Sequence, residues 1–204
     1  MLITFEGVNG SGKTTAMREV KRKLEDQCPE YRVSKYFCPG SGIPKIRSIF
    51  KDPKADFCGL AYLFMACADQ AELMHKHVID SANPISDEII LIDRLFDSTL
   101  AYQTVYGGLS EEVINICSSL STFNLRPNLT LLFDVPFEVS MHRRREEGWE
   151  DKFEKDFKDK FEALREKFLE TVQKDPARVK IIDASLPLCQ VVDTCFKYIK
   201  NVLY

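Results

Sequence analysis

The chain has 204 residues, 45% hydrophobic and 29% charged, with a formal net charge of −3. That length supports one domain with a sizeable core, and the charge gives no electrostatic case for nucleic acid as a partner. No apolar run approaches the ~20 residues of a membrane helix, and no basic segment leads into an apolar one as in a secretory signal, so a cytoplasmic protein without membrane or nucleic-acid partners is expected.

Leu2-Ile3-Thr4-Phe5 reads as a buried strand. Gly7-Val8-Asn9-Gly10-Ser11-Gly12-Lys13-Thr14 follows at once. Gly, four residues and Gly-Lys-Thr spell a phosphate-binding loop between strand and helix. Gly7, Gly10 and Gly12 let the backbone of Asn9, Ser11 and Thr15 curl its N–H groups around phosphate oxygens. The next helix adds the positive end of its dipole. Lys13 can reach the β- and γ-phosphates, and the Thr14 hydroxyl can ligate Mg²⁺. A nucleoside triphosphate and Mg²⁺ are therefore the expected ligands.

Met17, Val20 and Leu24 continue that helix, and Pro29 ends it. Residues 31–37 read as a second strand, Pro39-Gly40-Ser41-Gly42 as a loop, and 44–50 as a short helix carrying Lys45 and Arg47. The span 57–81 is the most apolar helix, with Phe57, Leu60, Phe64, Cys67, Ala71, Met74 and Val78 at threes and fours and further apolar faces beside them. A helix apolar on several faces is central or pairs with another subunit, so a homodimer built on 57–81 is expected. The continuous apolar runs 88–93, 129–134 and 179–183 are strands of a parallel sheet. Helices near 94–106, 110–123, 137–147, 151–174 and 187–202 fill the intervals. Phe153, Phe157, Phe161, Leu164, Phe168 and Val172 make one core-facing stripe on the fourth of these. Strands alternating with helices predict a single doubly wound α/β domain over 1–204. The seven cysteines are scattered, with no Cys-x-x-Cys pair, and read as reduced, mostly packed thiols.

Asp93-Arg94 ends a buried strand at the sheet edge shared with the phosphate loop. There Asp93 can hold Mg²⁺ and Arg94 can neutralise a second phosphate group. Arg143-Arg144-Arg145 precedes Glu146-Glu147-Gly148-Trp149. A charge run is more often a solvated face, but phosphoryl transfer needs arginines brought to the equatorial oxygens. A small lid over about 142–154 is the expectation.

These residues together resemble the bacterial type of thymidylate kinase nearly from end to end. The resemblance rests on the phosphate loop, on Asp93-Arg94 followed by Asp97-Ser98-Thr99-Leu100-Ala101-Tyr102-Gln103, on Arg126-Pro127-Asn128-Leu129, on Phe133-Asp134-Val135-Pro136 and on Ile182-Asp183-Ala184-Ser185. It implies a Mg²⁺-dependent, dimeric ATP:dTMP phosphotransferase with the P-loop nucleoside monophosphate kinase fold and five parallel strands. It implies that Lys13 and Thr14 hold ATP phosphates and Mg²⁺, that Arg94 steadies the acceptor phosphate, and that Arg47 contacts the monophosphate. Thr99 and Tyr102 fall where the family lines base and sugar. With Gly10 in place of a loop arginine, the transition-state arginines come from the lid, as Arg143 and Arg145.

Several positions depart from the family pattern. Asn9 replaces an acidic residue expected at the sugar 3′-hydroxyl, Cys38 stands for a Glu, and Glu147 and Lys152 replace lid arginines. The family stacks a Phe, here Phe64, on thymine and bonds the base with an Arg. No arginine occurs between Arg47 and Arg94, and Gln70 is the candidate in its place. Kinase activity toward another or a modified pyrimidine deoxynucleotide, or a non-catalytic nucleotide-binding module, stay open as alternatives. The lack of an Asn-Lys-x-Asp guanine motif speaks against the module.

Overall fold

The computed structural model describes residues 1–52, 54–79, 87–146, 148 and 154–204, the side chains of 154–157 excepted. Five parallel strands form one sheet in the order β2-β3-β1-β4-β5. They are β1 (Leu2–Glu6), β2 (Arg32–Phe37), β3 (Glu88–Asp93), β4 (Leu129–Asp134) and β5 (Val179–Asp183). The three central strands are buried almost throughout, as their continuous apolar runs require. Edge strands β2 and β5 mix buried, half-buried and exposed residues. The doubly wound α/β fold is thus as the sequence predicts.

The helices are α1 (Lys13–Gln27), α2 (Pro44–Lys51), α3 (Gly59–His77), α4 (Phe96–Val105), α5 (Glu111–Ser121), α6 (Phe137–Glu146), α7 (Glu154–Lys174) and α8 (Leu188–Leu203). Three boundaries differ instructively from the sequence expectation. The 57–81 helix starts at Gly59, and 80–81 lie outside the described residues. The helix expected from 94 starts at Phe96, because Arg94 takes a φ of 70°. Such a conformation is incompatible with a right-handed helix. The helix expected from 110 starts one residue later, with the Ser110 side chain accepting from the Val113 N–H as its cap. Phe161, Leu164 and Phe168 of the α7 stripe are buried in the main core, while Phe153 and Phe157 fall outside the described side chains.

One polar network ties the helices to the sheet. Asp97 on α4 receives both Nη atoms of Arg178 at 2.8 and 3.0 Å, and Arg178 also donates to Thr130 of β4 at 2.6 Å. A buried ion pair satisfied on all sides adds little net stability but fixes geometry. Here it anchors the first turn of α4, which carries the site, over the sheet. All seven cysteines are free thiols. Among the described residues no helix is long and apolar enough to cross a membrane.

Candidate active site

The carboxyl ends of β1 and β3 bring the phosphate loop beside Asp93 and Arg94, the edge where open α/β sheets bind ligands. The Lys13 ammonium is buried and donates to the Val8 carbonyl at 2.7 Å and to Ser11 Oγ at 3.2 Å. Burial, then the Arg94 cation, pull it down to about 7. A phosphate anion entering the loop supplies the counter-charge this ammonium lacks. The Thr14 hydroxyl donates to Asp93 Oδ2 at 2.5 Å, so two hard oxygen ligands stand side by side. No group of three or more His, Cys, Asp and Glu gathers among the described residues. Two protein oxygens suit Mg²⁺, which keeps waters and takes phosphate oxygens for the rest of its shell.

Arg94 is the most constrained side chain of the site. Its Nη1 donates to the Gly7 carbonyl at 2.8 Å and to Ser98 Oγ at 2.9 Å. Its Nη2 donates to Asn9 Oδ1 at 2.7 Å and to the Tyr102 hydroxyl at 3.3 Å, with the guanidinium carbon 5.0 Å from the Tyr102 ring centroid. Ser98 in turn donates to the buried Glu6 carboxyl, which also accepts the Leu95 N–H at 2.8 Å. Burial, with the Asp97 carboxylate next in effect, raises Glu6 to about 7. A non-glycine residue held at positive φ by this many partners stores strain where position matters.

Three contiguous cavities follow this edge. One of about 320 Å³ lies between the loop and β5, lined by Gly10, Gly12, Thr15, Arg143 and Ala184. A second, of about 570 Å³, is lined by Lys13, Thr14, Asp93, Arg94, Arg47 and Arg144. The third, of about 530 Å³, runs between α3 and α4 among Phe57, Tyr62, Thr99, Tyr102 and Gln103, and shares Asn9, Cys38 and Arg94 with the second. Arg47 is steered into the middle cavity by a bond to the Pro39 carbonyl at 3.0 Å and by the Phe37 ring, 4.2 Å away. A polyanion therefore has cationic groups on several sides at the meeting point of two flanking chambers.

The sequence model of the thymidylate kinase family matches residues 5–195. The chain belongs to the thymidylate kinase family. It is 35% identical over 215 residues to a Mycoplasma capricolum protein named thymidylate kinase, covering all of this chain and 96% of that one. A Kosmotoga olearia protein of the same name is 30% identical over 197 residues, 97% and 94% of the two chains. The crystal structure of thymidylate kinase from Ehrlichia chaffeensis superposes with a TM-score of 0.76 at 25% identity, over 98% of each chain.

Against the family pattern, the phosphate loop with Lys13, Thr14, Asp93, Arg94, Arg47, Thr99, Tyr102 and Asn9 come together around the two larger cavities. Three expected residues do not. Phe64 points outward with 55% of its surface exposed and lines none of the three cavities. At 100° per residue, only other positions of α3 face the cavity, and Gly59, Tyr62 and Ala66 are the ones that do. Gln70 is fully buried behind the wall. Its amide nitrogen donates to Thr99 Oγ1 at 2.6 Å and to the Leu95 carbonyl at 3.4 Å, and its oxygen accepts from Ser121 at 2.9 Å. It is a structural link between α3, α4 and α5 and lines none of the three cavities. Arg145 is exposed and off the cavities, whereas Arg144 lines the middle cavity. Gly10, at φ 74°, explains this: α6 packs so closely that a Cβ there would meet the Ser140 carbonyl at 2.7 Å and Arg144 Cγ at 2.9 Å. The lid expected over 142–154 lies partly outside the described residues, which include neither Glu147 nor Lys152.

Two residues of the site receive no role from the motifs. Asp69 is fully buried and accepts the Gly40 and Ile43 N–H groups at 2.8 and 2.5 Å, clamping the loop that presents Arg47. Gln103 lines the third cavity four residues after Thr99, one helical turn on the same face. Cys38, where the family carries Glu, sits between the two larger cavities. Burial and the neighbouring Asp69 push its thiol well above the ordinary range, so it is neutral there.

Proposed function

We propose that this cleft carries out the reaction of the thymidylate kinase family, ATP + dTMP → ADP + dTDP. ATP lies over the 7–15 loop and its neighbouring cavity, and dTMP lies between α3 and α4. The observation that carries the reading is the convergence of Lys13, Arg94, Arg47 and Arg144 on the cavity joining the two chambers. Donor and acceptor phosphates must meet there.

The nucleophile is a dTMP phosphate oxygen, already anionic near neutral pH, so no general base is required. Catalysis is then in-line positioning and neutralisation of charge. Lys13 and the loop N–H groups hold the β- and γ-phosphates. Arg94, fixed by Gly7, Ser98 and Asn9, holds the acceptor phosphate, and Arg47 its outer oxygens. Tyr102 packs against Arg94 where the sugar passes. Thr14 and Asp93 would hold Mg²⁺, which would supply positive charge against the phosphates. ADP release with dTMP as acceptor should vanish on chelation of Mg²⁺ and return when it is restored. A rate indifferent to the metal would remove Thr14 and Asp93 from this role.

The lid-side arginines separate experimentally. Arg144→Ala should lower kcat by about 10²-fold, the scale of losing one charge-stabilising donor, with KM for ATP little changed. Arg145→Ala should stay within about twofold of wild type, as for an exposed residue. Equal losses in the two variants would overturn the placement of Arg144.

The homodimer is proposed on surface chemistry. α3 packs on α5, and the two expose Leu60, Phe64, Ile116 and Leu120, each at 40% or more. Large exposed apolar side chains grouped on neighbouring helices mark an interface. Sedimentation should give twice the chain mass of 23.4 kDa, and Phe64→Asp should shift it toward monomer. A concentration-independent monomer mass for the wild type would end the idea.

A further inference from the structure

The base end of the acceptor cavity has an unusual inventory of hydrogen-bonding groups. Arg94 and Asn9 mark the phosphate end. Gln103 lies about 10 Å further along α4 than the first residue of that helix. It is 7% exposed, lines the cavity, and its amide has no hydrogen-bond partner among the described residues. Two of the hydroxyls around it are already committed. The Thr99 hydroxyl donates to the Leu95 carbonyl at 3.0 Å, and the Tyr62 hydroxyl donates to the Ala55 carbonyl at 2.9 Å. Gln70, behind the wall, has three protein partners. Among the described residues lining the cavity, Arg94 carries the one guanidinium, and it is tied down at the other end.

We propose that this cavity accepts pyrimidine deoxynucleoside monophosphates of the cytosine type as well as those of the thymine and uracil type. The inference rests on the kinase reading above and adds an acceptor class to it. A thymine or uracil edge offers an acceptor at C4 and a donor at N3. A cytosine edge reverses both, with an amino donor at C4 and an acceptor at N3. A guanidinium has donors only, so an arginine held opposite C4 bonds the carbonyl of the first edge and meets the amino donor of the second. A primary amide carries one acceptor and two donors on a single carbon, and a half-turn exchanges them. Gln103 has no protein partner to prevent that half-turn. Its oxygen also lies against Gly107, where a Cβ would come within 2.7 Å of it. The absence of a side chain at 107 leaves the amide room to rotate. The Phe50, Tyr62 and Phe57 rings, packed edge to face at 5.4 and 5.8 Å, give an apolar wall that suits either ring without discriminating at C4.

The test is a comparison of dUMP with dCMP, which differ only at the C4–N3 edge, with dTMP alongside, at saturating ATP and Mg²⁺. The wild type should show kcat/KM for dUMP and dCMP within tenfold of each other. Gln103→Leu should lower both by a similar factor, about 10- to 100-fold, leaving their ratio unchanged. A dCMP value more than tenfold below dUMP would overturn the inference, since a site built around one edge rejects its reverse by far more. So would a Gln103→Leu enzyme as active as wild type on both. The wild-type ratio decides the matter even if the variant fails to fold. If dTMP and dUMP react and dCMP does not, the inference falls alone. If no monophosphate reacts, the kinase reading falls with it.

Discussion

Arg94→Ala should reduce turnover by about 10³-fold or more, the scale on which a phosphate-directed arginine acts in phosphoryl transfer. The wild-type guanidinium is held by four partners across Gly7, Asn9, Ser98 and Tyr102. Its loss removes both the charge and the fork that fixes the acceptor oxygen in line. Arg94→Lys restores the charge without the fork, and a lysine is a point charge with a different reach. It should recover only a minor part of the rate. Steady-state kinetics with dTMP decide this, with thermal melting to confirm that each variant folds. Near-wild-type kcat in Arg94→Ala would place the acceptor phosphate elsewhere.

Lys13→Met should lower kcat by about 10²–10³-fold, as for removal of a charge-stabilising donor from a water-poor site. The same change should not destabilise the nucleotide-free protein. The Lys13 ammonium is buried beside Arg94, and its proton affinity is pulled down to about 7. A charge so placed costs folding free energy. Its removal should leave the melting temperature of the nucleotide-free protein within about 3 °C of wild type, or raise it, where 1 kcal/mol corresponds to about 2–4 °C at this size. Stabilisation of the wild type by added ATP should disappear in the variant. A large fall in melting temperature without nucleotide would show that Lys13 has a structural role.

The parts of the site legible from sequence are those whose neighbours in space are neighbours in the chain. Lys13 and Thr14 belong to one loop, and Asp93-Arg94 ends a strand whose continuous apolar run marks it as central. The parallel sheet then brings the two stretches together, since Phe5 pairs with Asp93. Residues on helices were harder, because their role depends on rotation about the helix axis, set by packing partners far away in sequence. Gln70 is committed to Ser121, 51 positions on, and to Thr99, 29 positions on. Nothing near Gln70 signals either bond. Arg143, Arg144 and Arg145 are consecutive on α6 and so point in three directions about 100° apart. The close contact of Ser140 with Gly10 chooses among them. Phe64 fails for the same reason, as α3 turns it toward solvent. Gln103 had a usable signal in its i,i+4 relation to Thr99, which the motif alone does not weigh. The helix expected from residue 94 begins at Phe96 instead, since apolar periodicity carries no sign of the positive φ at Arg94.

The central claim is that one cleft passes the γ-phosphoryl of ATP to a deoxynucleoside monophosphate. Phosphorus NMR of the wild-type protein with ATP, dTMP and Mg²⁺ tests it most directly. ADP and dTDP should accumulate in equal amounts as ATP and dTMP disappear together. Release of inorganic phosphate from ATP with dTMP left intact would contradict the account.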